Sequence, residues 1–385
     1  MEVKVKILGA GSIGNHLAYA CRQLGWNVTI CDIDPAALRR TRDKIFPGRY
    51  GKWDETIRLV QPAEVADEAF EVIIIGTPPD SHIDLALECL AKTPPRVLLI
   101  EKPLCTPLLQ SCEQLIPIAK RVGTRVLVGY NHTLTSNTLL AEEWLQEGKL
   151  GKILTIDVQI REHWQGIFKA HPWISGPEET YLGYTQRGGG ALAEHSHGLA
   201  IWQHFARLSG NGRIVEVSAM LDMVREAGAY YDRLAQLSLR TETGLTGLLV
   251  QDVITEPAKK YLRILGSGGY LDWFINIKPG ADAVKLWSQD DVERAQYFEK
   301  TRPDDFLPEI NHIERILSNP ALSSPISLEY GLETMLVIAA AIKSHQERRV
   351  IKIDYLICRH KQRVRYSKVH NHHRPLAANA DDHWC

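Results

Sequence analysis

Two groups of residues hold the reactive chemistry of this sequence. The first is Glu101-Lys102-Pro103, delivered by the apolar run Val97-Leu98-Leu99-Ile100. Such a run reads as a strand buried on both faces, and the proline cannot continue the ladder. In an open parallel sheet, ligands bind outside the carboxyl ends of the strands, so Lys102 is placed to meet a substrate hydroxyl. The second group is Arg187-Gly188-Gly189-Gly190-Ala191-Leu192-Ala193-Glu194-His195-Ser196-His197. The glycines would let this loop pass close to a ligand. A helix over 193–208 would then put Glu194 and His197 at i, i+3 on one face. A carboxylate beside an imidazole raises its basicity and fixes its orientation, as a proton shuttle requires. His195 would point elsewhere, and three adjacent side chains on one helix do not converge, so no metal site is expected.

A partner for that chemistry is written at the amino terminus. The alternating run 3–8 enters Gly9-Ala10-Gly11-Ser12-Ile13-Gly14 and a helix. In a dinucleotide-binding turn, the three glycines permit the tight turn, the approach of a pyrophosphate and close helix packing, and the helix amino terminus favours phosphate. A second strand, 27–31, ends in Asp32, an acceptor for ribose hydroxyls that repels a 2'-phosphate. NAD is therefore favoured; Arg39 and Arg40 leave NADP possible. Strand 71–75 leads into Gly76-Thr77-Pro78-Pro79-Asp80-Ser81-His82. Thr77 and Pro78 would line the crevice, and His82 is either a cofactor contact or a locally bonded helix-start residue. Strand 125–129 ends in Tyr130-Asn131-His132.

Strands alternating with helices at 83–91 and 108–122 specify a doubly wound parallel sheet. The pattern then changes. After a helix at 138–147, segments 153–160, 214–221, 235–240, 245–253 and 261–265 read as strands joined by glycine-containing turns. They suit a large open, mostly antiparallel sheet with one covered face, accompanied by helices at 193–208, 306–317 and 328–345. The expected organisation is α/β: a cofactor domain at 1–130, an α+β substrate and oligomerisation domain at 131–354, and a basic, histidine-rich tail at 355–385. That tail has few apolar residues and reads as disordered. Substrate contacts are expected from the strand end Arg161-Glu162-His163-Trp164, from His171-Pro172-Trp173, and from Tyr181, Tyr184 and Arg187. Aromatic faces beside charged groups suit a sugar ring, and arginine suits an acidic sugar or a diphosphate.

Composition bounds the rest. The chain has 385 residues, 44% hydrophobic and 24% charged, with a formal net charge of -1. Nothing in it favours nucleic acid or an anionic membrane as partner. No apolar run reaches the roughly 18 residues of a membrane helix. The amino terminus lacks signal-peptide character, so a cytoplasmic protein is expected. The seven cysteines show no paired or metal-ligand spacing and read as reduced thiols.

The chain resembles the Gfo/Idh/MocA oxidoreductases over roughly residues 1–354. The likeness rests on Gly9-Ala10-Gly11-Ser12-Ile13-Gly14, Gly76-Thr77-Pro78-Pro79-Asp80-Ser81-His82, Glu101-Lys102-Pro103, Gly129-Tyr130-Asn131 and the triple glycine with Glu194 and His197. The resemblance implies an NAD(P)-binding Rossmann domain followed by an α/β domain whose open sheet builds dimers or tetramers. It also implies hydride transfer between the nicotinamide and a CH–OH group of a sugar, cyclitol or nucleotide-linked sugar. Lys102, His197 and Glu194 would be catalytic. Gly9, Gly11, Ser12, Ile13, Gly14, Asp32, Thr77, Pro78, His82, Glu101, Lys102 and Asn131 would hold the cofactor. Departures from the usual pattern occur at Glu194, where aspartate is common, at the three-residue step to His197, where four is common, and at Ala200. His132-Thr133-Leu134 also replaces the usual basic and aromatic residues. Transient sugar oxidation with glycoside cleavage or epimerisation, and a non-catalytic NAD-binding sensor, remain as alternatives.

Overall fold

The first buried element, β1 (Lys4–Leu8), pairs in parallel with β2 (Asn27–Cys31) and with β4 (Val72–Ile75). Together with β3 (Arg58–Val60), β5 (Val97–Ile100) and β6 (Arg125–Val128) they form a six-stranded parallel sheet ordered β3-β2-β1-β4-β5-β6. Every residue of β4 and β5 is buried, as runs of branched aliphatics demand when helices cover both faces. The connecting helices are α1 (Ser12–Gln23), α2 (Pro35–Arg40), α3 (Phe46–Tyr50), α4 (His82–Lys92) and α5 (Leu115–Val122). The strand order reverses beside β1, the switch point where nucleotides bind in such sheets.

Helix α5 starts seven residues later than the sequence pattern suggests. Leu109 and Ser111 take left-handed φ angles of 56° and 58°, and the chain folds back to bury Cys105, Leu109 and Cys112. Burial of these side chains overrides local helical preference.

A second sheet has nine strands, ordered β14-β13-β12-β11-β7-β10-β9-β8-β15. They are β7 (Ile153–Arg161), β8 (Ile214–Glu226), β9 (Ala229–Thr241), β10 (Thr246–Asp252), β11 (Lys259–Gly266), β12 (Gly269–Lys278), β13 (Ala281–Ser288), β14 (Arg294–Glu299) and β15 (Ile351–Lys352). All neighbours are antiparallel except β7 and β10. The sequence pattern missed β12, β13 and β14, where charged residues interrupt the alternation. Asp272 in β12 is nonetheless buried, because Arg263 of β11 donates to both its oxygens at 2.7 and 2.6 Å.

Helices α6 (Ser136–Gln146), α7 (Gln165–Ala170), α8 (Gly190–Glu194), α9 (His197–Leu208), α10 (Leu307–Ser318) and α11 (Leu328–Glu347) complete the molecule. Trp202 of α9 is fully buried and donates its indole N–H to the carbonyl of Ile156 in β7 at 2.8 Å, which fixes α9 on the inner face. The opposite face leaves Met220, Leu248, Trp287 and Tyr297 exposed. The computed structural model describes residues 2–170, 173–289 and 293–355; His171-Pro172 and nearly all of the tail lie outside them. No helix among the described residues is long and apolar enough to cross a membrane.

The glycines of the first turn divide into two kinds. Gly9 has φ +105°, and a Cβ there would lie 2.8 Å from the carbonyl oxygen of Gly76. A Cβ on Gly14 would collide with the carbonyl oxygen of Gly9, whereas one on Gly11 would meet nothing within 4 Å. Gly14→Ala is therefore expected to lower the melting temperature substantially, and Gly11→Ala to leave it nearly unchanged. Thermal denaturation of the two variants checks this directly; equal losses would refute it.

Candidate active site

The Lys102 amine projects from just beyond β5 and donates to the carbonyl and to Oε1 of Glu194, both at 2.9 Å. Its peptide bond to Pro103 is cis. The other carboxylate oxygen, Oε2, accepts from the Tyr181 hydroxyl at 3.1 Å. Both side chains of the ion pair are 13% exposed, so the pair is sheltered but reachable.

This bond corrects the expected continuous helix. Because Lys102 takes the Glu194 carbonyl and Gln251 donates its amide to the His195 carbonyl, helix α8 stops at Glu194 and α9 begins at His197. Glu194 and His197 do not share a helix face. The His197 ring instead stacks on His132 at 4.1 Å between centroids and meets Tyr130 edge-on at 5.9 Å. Its basicity is not raised. Burial pushes the imidazole well below the usual histidine range, and His132, Lys102 and Lys260 act in the same direction. His132 is held neutral in the same way, and burial brings His195 down to about 4. The Nδ1 atoms of His132 and His197 and the Nε2 of His195 are buried without hydrogen-bond partners.

The triple glycine serves packing more than ligand approach. A Cβ on Gly188 (φ +92°) would sit 2.8 Å from Pro79 Cβ, and one on Gly190 (φ +83°) would overlap Asp232 Oδ1. Asp232, wholly buried on β9, accepts from the Leu192 backbone N–H at 2.7 Å and from the Thr185 hydroxyl at 3.1 Å. It thereby seats the helix that carries Glu194. Burial raises its carboxyl to about 7, although both hydrogen bonds oppose the shift.

Among the residues expected to hold cofactor, Asp32 braces the glycine turn: Oδ2 accepts from the Ala10 N–H at 2.7 Å and Oδ1 from the Asp34 N–H at 2.8 Å. Ser12 and Ile13 open α1. Thr77 shares a hydrogen bond with Ser81 at 2.7 Å, beside Pro78. Asn131 donates to the Asp305 carbonyl at 2.9 Å and leaves its Oδ1 buried without a partner. Glu101 is buried behind Lys102; burial raises its carboxyl to about 7 against the pull of the Lys102 charge. His82 is a correction. It is 0% exposed, with its ring nitrogens 3.0 Å from the Pro103 carbonyl and 2.7 Å from that of Thr77. It ties two loops together and presents no atom to a ligand.

The expected substrate residues divide. Arg161 reaches Asp252 at 3.1 Å and His163 Nδ1 accepts from the Gln165 N–H at 3.0 Å. Trp164 is 4% exposed and stacks on Tyr231 at 4.7 Å, so it is core rather than contact surface. The Tyr184 hydroxyl is given to the Glu178 carbonyl at 3.1 Å. Arg187 bonds Asp80 at 2.6 Å, joining the glycine loop to the loop after β4. Trp173 lies under the guanidinium of Arg40, the last residue of α2, at 5.4 Å.

Sequence reasoning placed Glu162 at the strand end but missed its partner: Lys260 pairs with Glu162 at 2.8 Å, and both charges act on the His195 ring. Lys260 was invisible because only pairing of β11 with β7 brings it beside Glu162. Glu309 was missed too; both its oxygens are buried without partners, and burial, then repulsion from Glu101, holds it protonated well above the ordinary range. Among the described residues no group of three ligating side chains could hold a metal.

Residues 3–130 match the model of the oxidoreductase family with an NAD-binding Rossmann fold, and residues 138–272 match the GFO/IDH/MocA carboxy-terminal domain. The chain belongs to the Gfo/Idh/MocA oxidoreductase family. Its first sheet is an NAD-binding Rossmann fold, and the open space at Gly11 with the acid at Asp32 fits that cofactor. A curated relative, 1-carboxy-3-chloro-3,4-dihydroxycyclohexa-1,5-diene dehydrogenase of Comamonas testosteroni, is 28% identical over 210 residues, covering 54% of this chain and 47% of that protein. The matched stretch is thus about half of the relative's length. Levoglucosan dehydrogenase with NADH and levoglucosan superposes with a TM-score of 0.72 at 17% identity, covering 92% of this chain and 100% of the other. An oxidoreductase from Agrobacterium radiobacter with NAD+ and L-tartaric acid gives 0.71 at 19% identity, over 91% and 98%. Aldose-aldose oxidoreductase from Caulobacter crescentus gives 0.71 at 16%, over 92% and 100%. These likenesses establish the shared fold of the Gfo/Idh/MocA chain.

Asp232 provides a test of how the site is held. A buried carboxyl raised above its unfolded value of about 3.9 binds its proton more tightly in the folded state. Its stabilising effect is complete below that value and is lost as pH rises towards about 7, by at most about 1.4 kcal/mol per unit. Asp232→Asn should therefore gain stability relative to the parent as pH rises from about 4.5 to 7. Melting curves across that interval measure the difference, and a constant offset would contradict it.

Proposed function

We propose that this protein transfers hydride between NAD and a secondary hydroxyl, or the matching ketone, of an uncharged sugar or cyclitol. The observation that carries the reading is charge balance. Lys102 pairs with Glu194 at 2.9 Å, Lys260 with Glu162 at 2.8 Å, Arg161 with Asp252 at 3.1 Å and Arg187 with Asp80 at 2.6 Å. Each cation has its carboxylate, so none is left over for a carboxylate or diphosphate on the substrate. An ammonium beside a carboxylate offers a donor next to an acceptor, which suits a hydroxyl that both donates and accepts. This argues against the acidic and nucleotide-linked sugars that the arginines suggested from sequence.

Gly9, Gly11, Ser12, Ile13, Gly14, Asp32, Thr77, Pro78, Glu101 and Asn131 would hold NAD, which when bound supplies the hydride acceptor. Lys102, oriented by Glu194 and Tyr181, binds the reacting oxygen as an ammonium donor and stabilises negative charge developing on it. His197, kept neutral by burial, would take the hydroxyl proton as the carbon bearing that hydroxyl gives up its hydride, and its low proton affinity would let it release the proton to water. His163 and the Lys260–Glu162 pair orient the remaining hydroxyls. Residues 1–130 serve the cofactor and 131–354 the substrate. The uncovered sheet face around Met220, Leu248, Trp287 and Tyr297 serves contact with further copies of the chain.

A panel of inositols, aldoses, a sugar acid, a carboxylated ring diol and UDP-sugars with NAD, read by nicotinamide absorbance and product mass, tests this. Turnover is expected on the uncharged polyols. Preference for the charged compounds, product without net NADH, or NAD binding with no turnover on any of them would each overturn it. Lys102→Ala should lower kcat about a hundred- to ten-thousandfold while NAD affinity stays within a few-fold; unchanged turnover would remove Lys102 from the chemistry.

A further inference from the structure

The segment between β2 and β3 is not used by the reading above, yet it is built with care. After α2 the chain makes a π-helical turn over Thr41–Ile45 and enters the short helix α3. Aromatic rings fasten α3 to α1: Tyr50 stacks on Tyr19 at 3.9 Å, and Phe46 meets Tyr50 at 4.8 Å and Trp53 at 5.3 Å. The Tyr50 hydroxyl also lies 2.5 Å from His16 Nδ1. Among its charged side chains, Arg49 is held against the start of α1. Arg49 donates from Nη1 to the Ser12 carbonyl at 2.9 Å and from Nη2 to Ser12 Oγ at 2.7 Å.

Ser12 opens α1 and follows Gly11, whose missing Cβ faces open space. The guanidinium is therefore held beside the mouth of the glycine turn. No carboxylate accompanies it among the described residues, and the charged neighbour that bears on it is another cation, Arg302. Arg302 enters from the other lobe, lies over Phe306 at 5.0 Å, and Phe306 in turn stacks on His16 at 4.7 Å. Arg302 is itself paired with Asp305 at 2.7 Å, so Arg49 is the guanidinium left without an acid, and a partly desolvated, unpaired guanidinium is a costly arrangement in a free protein. A dianion beside it relieves that cost. Ser12 uses two of the five guanidinium donors, leaving others for bidentate recognition of phosphate.

We propose that Arg49 is a phosphate-binding residue that grips the cofactor's pyrophosphate at the start of α1. The inference rests on NAD binding alone and is independent of which substrate is oxidised. Calorimetric titration of the full chain with NAD, ADP and adenosine tests it. Arg49→Gln should weaken NAD and ADP roughly ten- to hundredfold, leave adenosine within about twofold, and flatten the salt dependence of ADP binding. Arg49→Lys should recover part of the loss. Ser12→Ala, which removes one anchor of the guanidinium, should weaken ADP several-fold and spare adenosine, which keeps the test valid if Arg49→Gln does not fold. Equal losses for adenosine and ADP, meaning that Arg49 only shapes the turn, or unchanged ADP affinity in the variants, would overturn the proposal.

Discussion

The ammonium of Lys102 is the contact between the two halves of this molecule on which the geometry of the site depends. Lys102 lies just past the last residue of β5 and gives hydrogen bonds to both the carbonyl and the carboxylate of Glu194. Taking that carbonyl out of the helical ladder ends α8, and the break frees α9 to rotate His197 onto His132 and Tyr130. The site's geometry is thus a consequence of one charge being satisfied. Asp232 seats α8 from below, and Arg187 with Asp80 ties the same loop to the cofactor side. Two of these interactions converge on the five residues of α8, and the third holds the turn just before it.

Burial sets the electrostatic character of this region. Three imidazoles with little access to water are kept neutral, while the carboxyls of Glu101 and Asp232 are raised to about 7. Desolvation disfavours the charged form whatever its sign. The charges that persist do so in pairs: Lys102 with Glu194 and Lys260 with Glu162. Neutral rings and balanced pairs set out alternating donors and acceptors, which is the basis of the proposed preference for a polyol. The start of α1 differs, because among the described residues no acid accompanies Arg49 there.

Much of the cofactor half was legible from one dimension. The glycine turn, Asp32 and the strand leading to Lys102 are local signals, each set by steric demands on adjacent residues, and the strand-helix alternation dictates a parallel sheet. The late start of α5 was hidden because left-handed turns at Leu109 and Ser111 are stabilised by burying side chains, not by their own propensities. His82 looked equally suited to two roles; only the positions of the Thr77 and Pro103 carbonyls distinguish them. The half built on the second sheet was less legible, since Glu162 and Lys260 lie far apart in the chain and meet only through β7–β11 pairing.

The sequence by itself determined the fold class, the family and the cofactor, because those follow from short-range rules: where glycine is obligatory, which runs must be buried, and which acid ends a strand. Tertiary structure decided the protonation states, the break between Glu194 and His197, and the pairing of every cation near Lys102. These depend on desolvation and on partners brought together from distant segments. Neither residue identity nor spacing encodes how much water a side chain will lose.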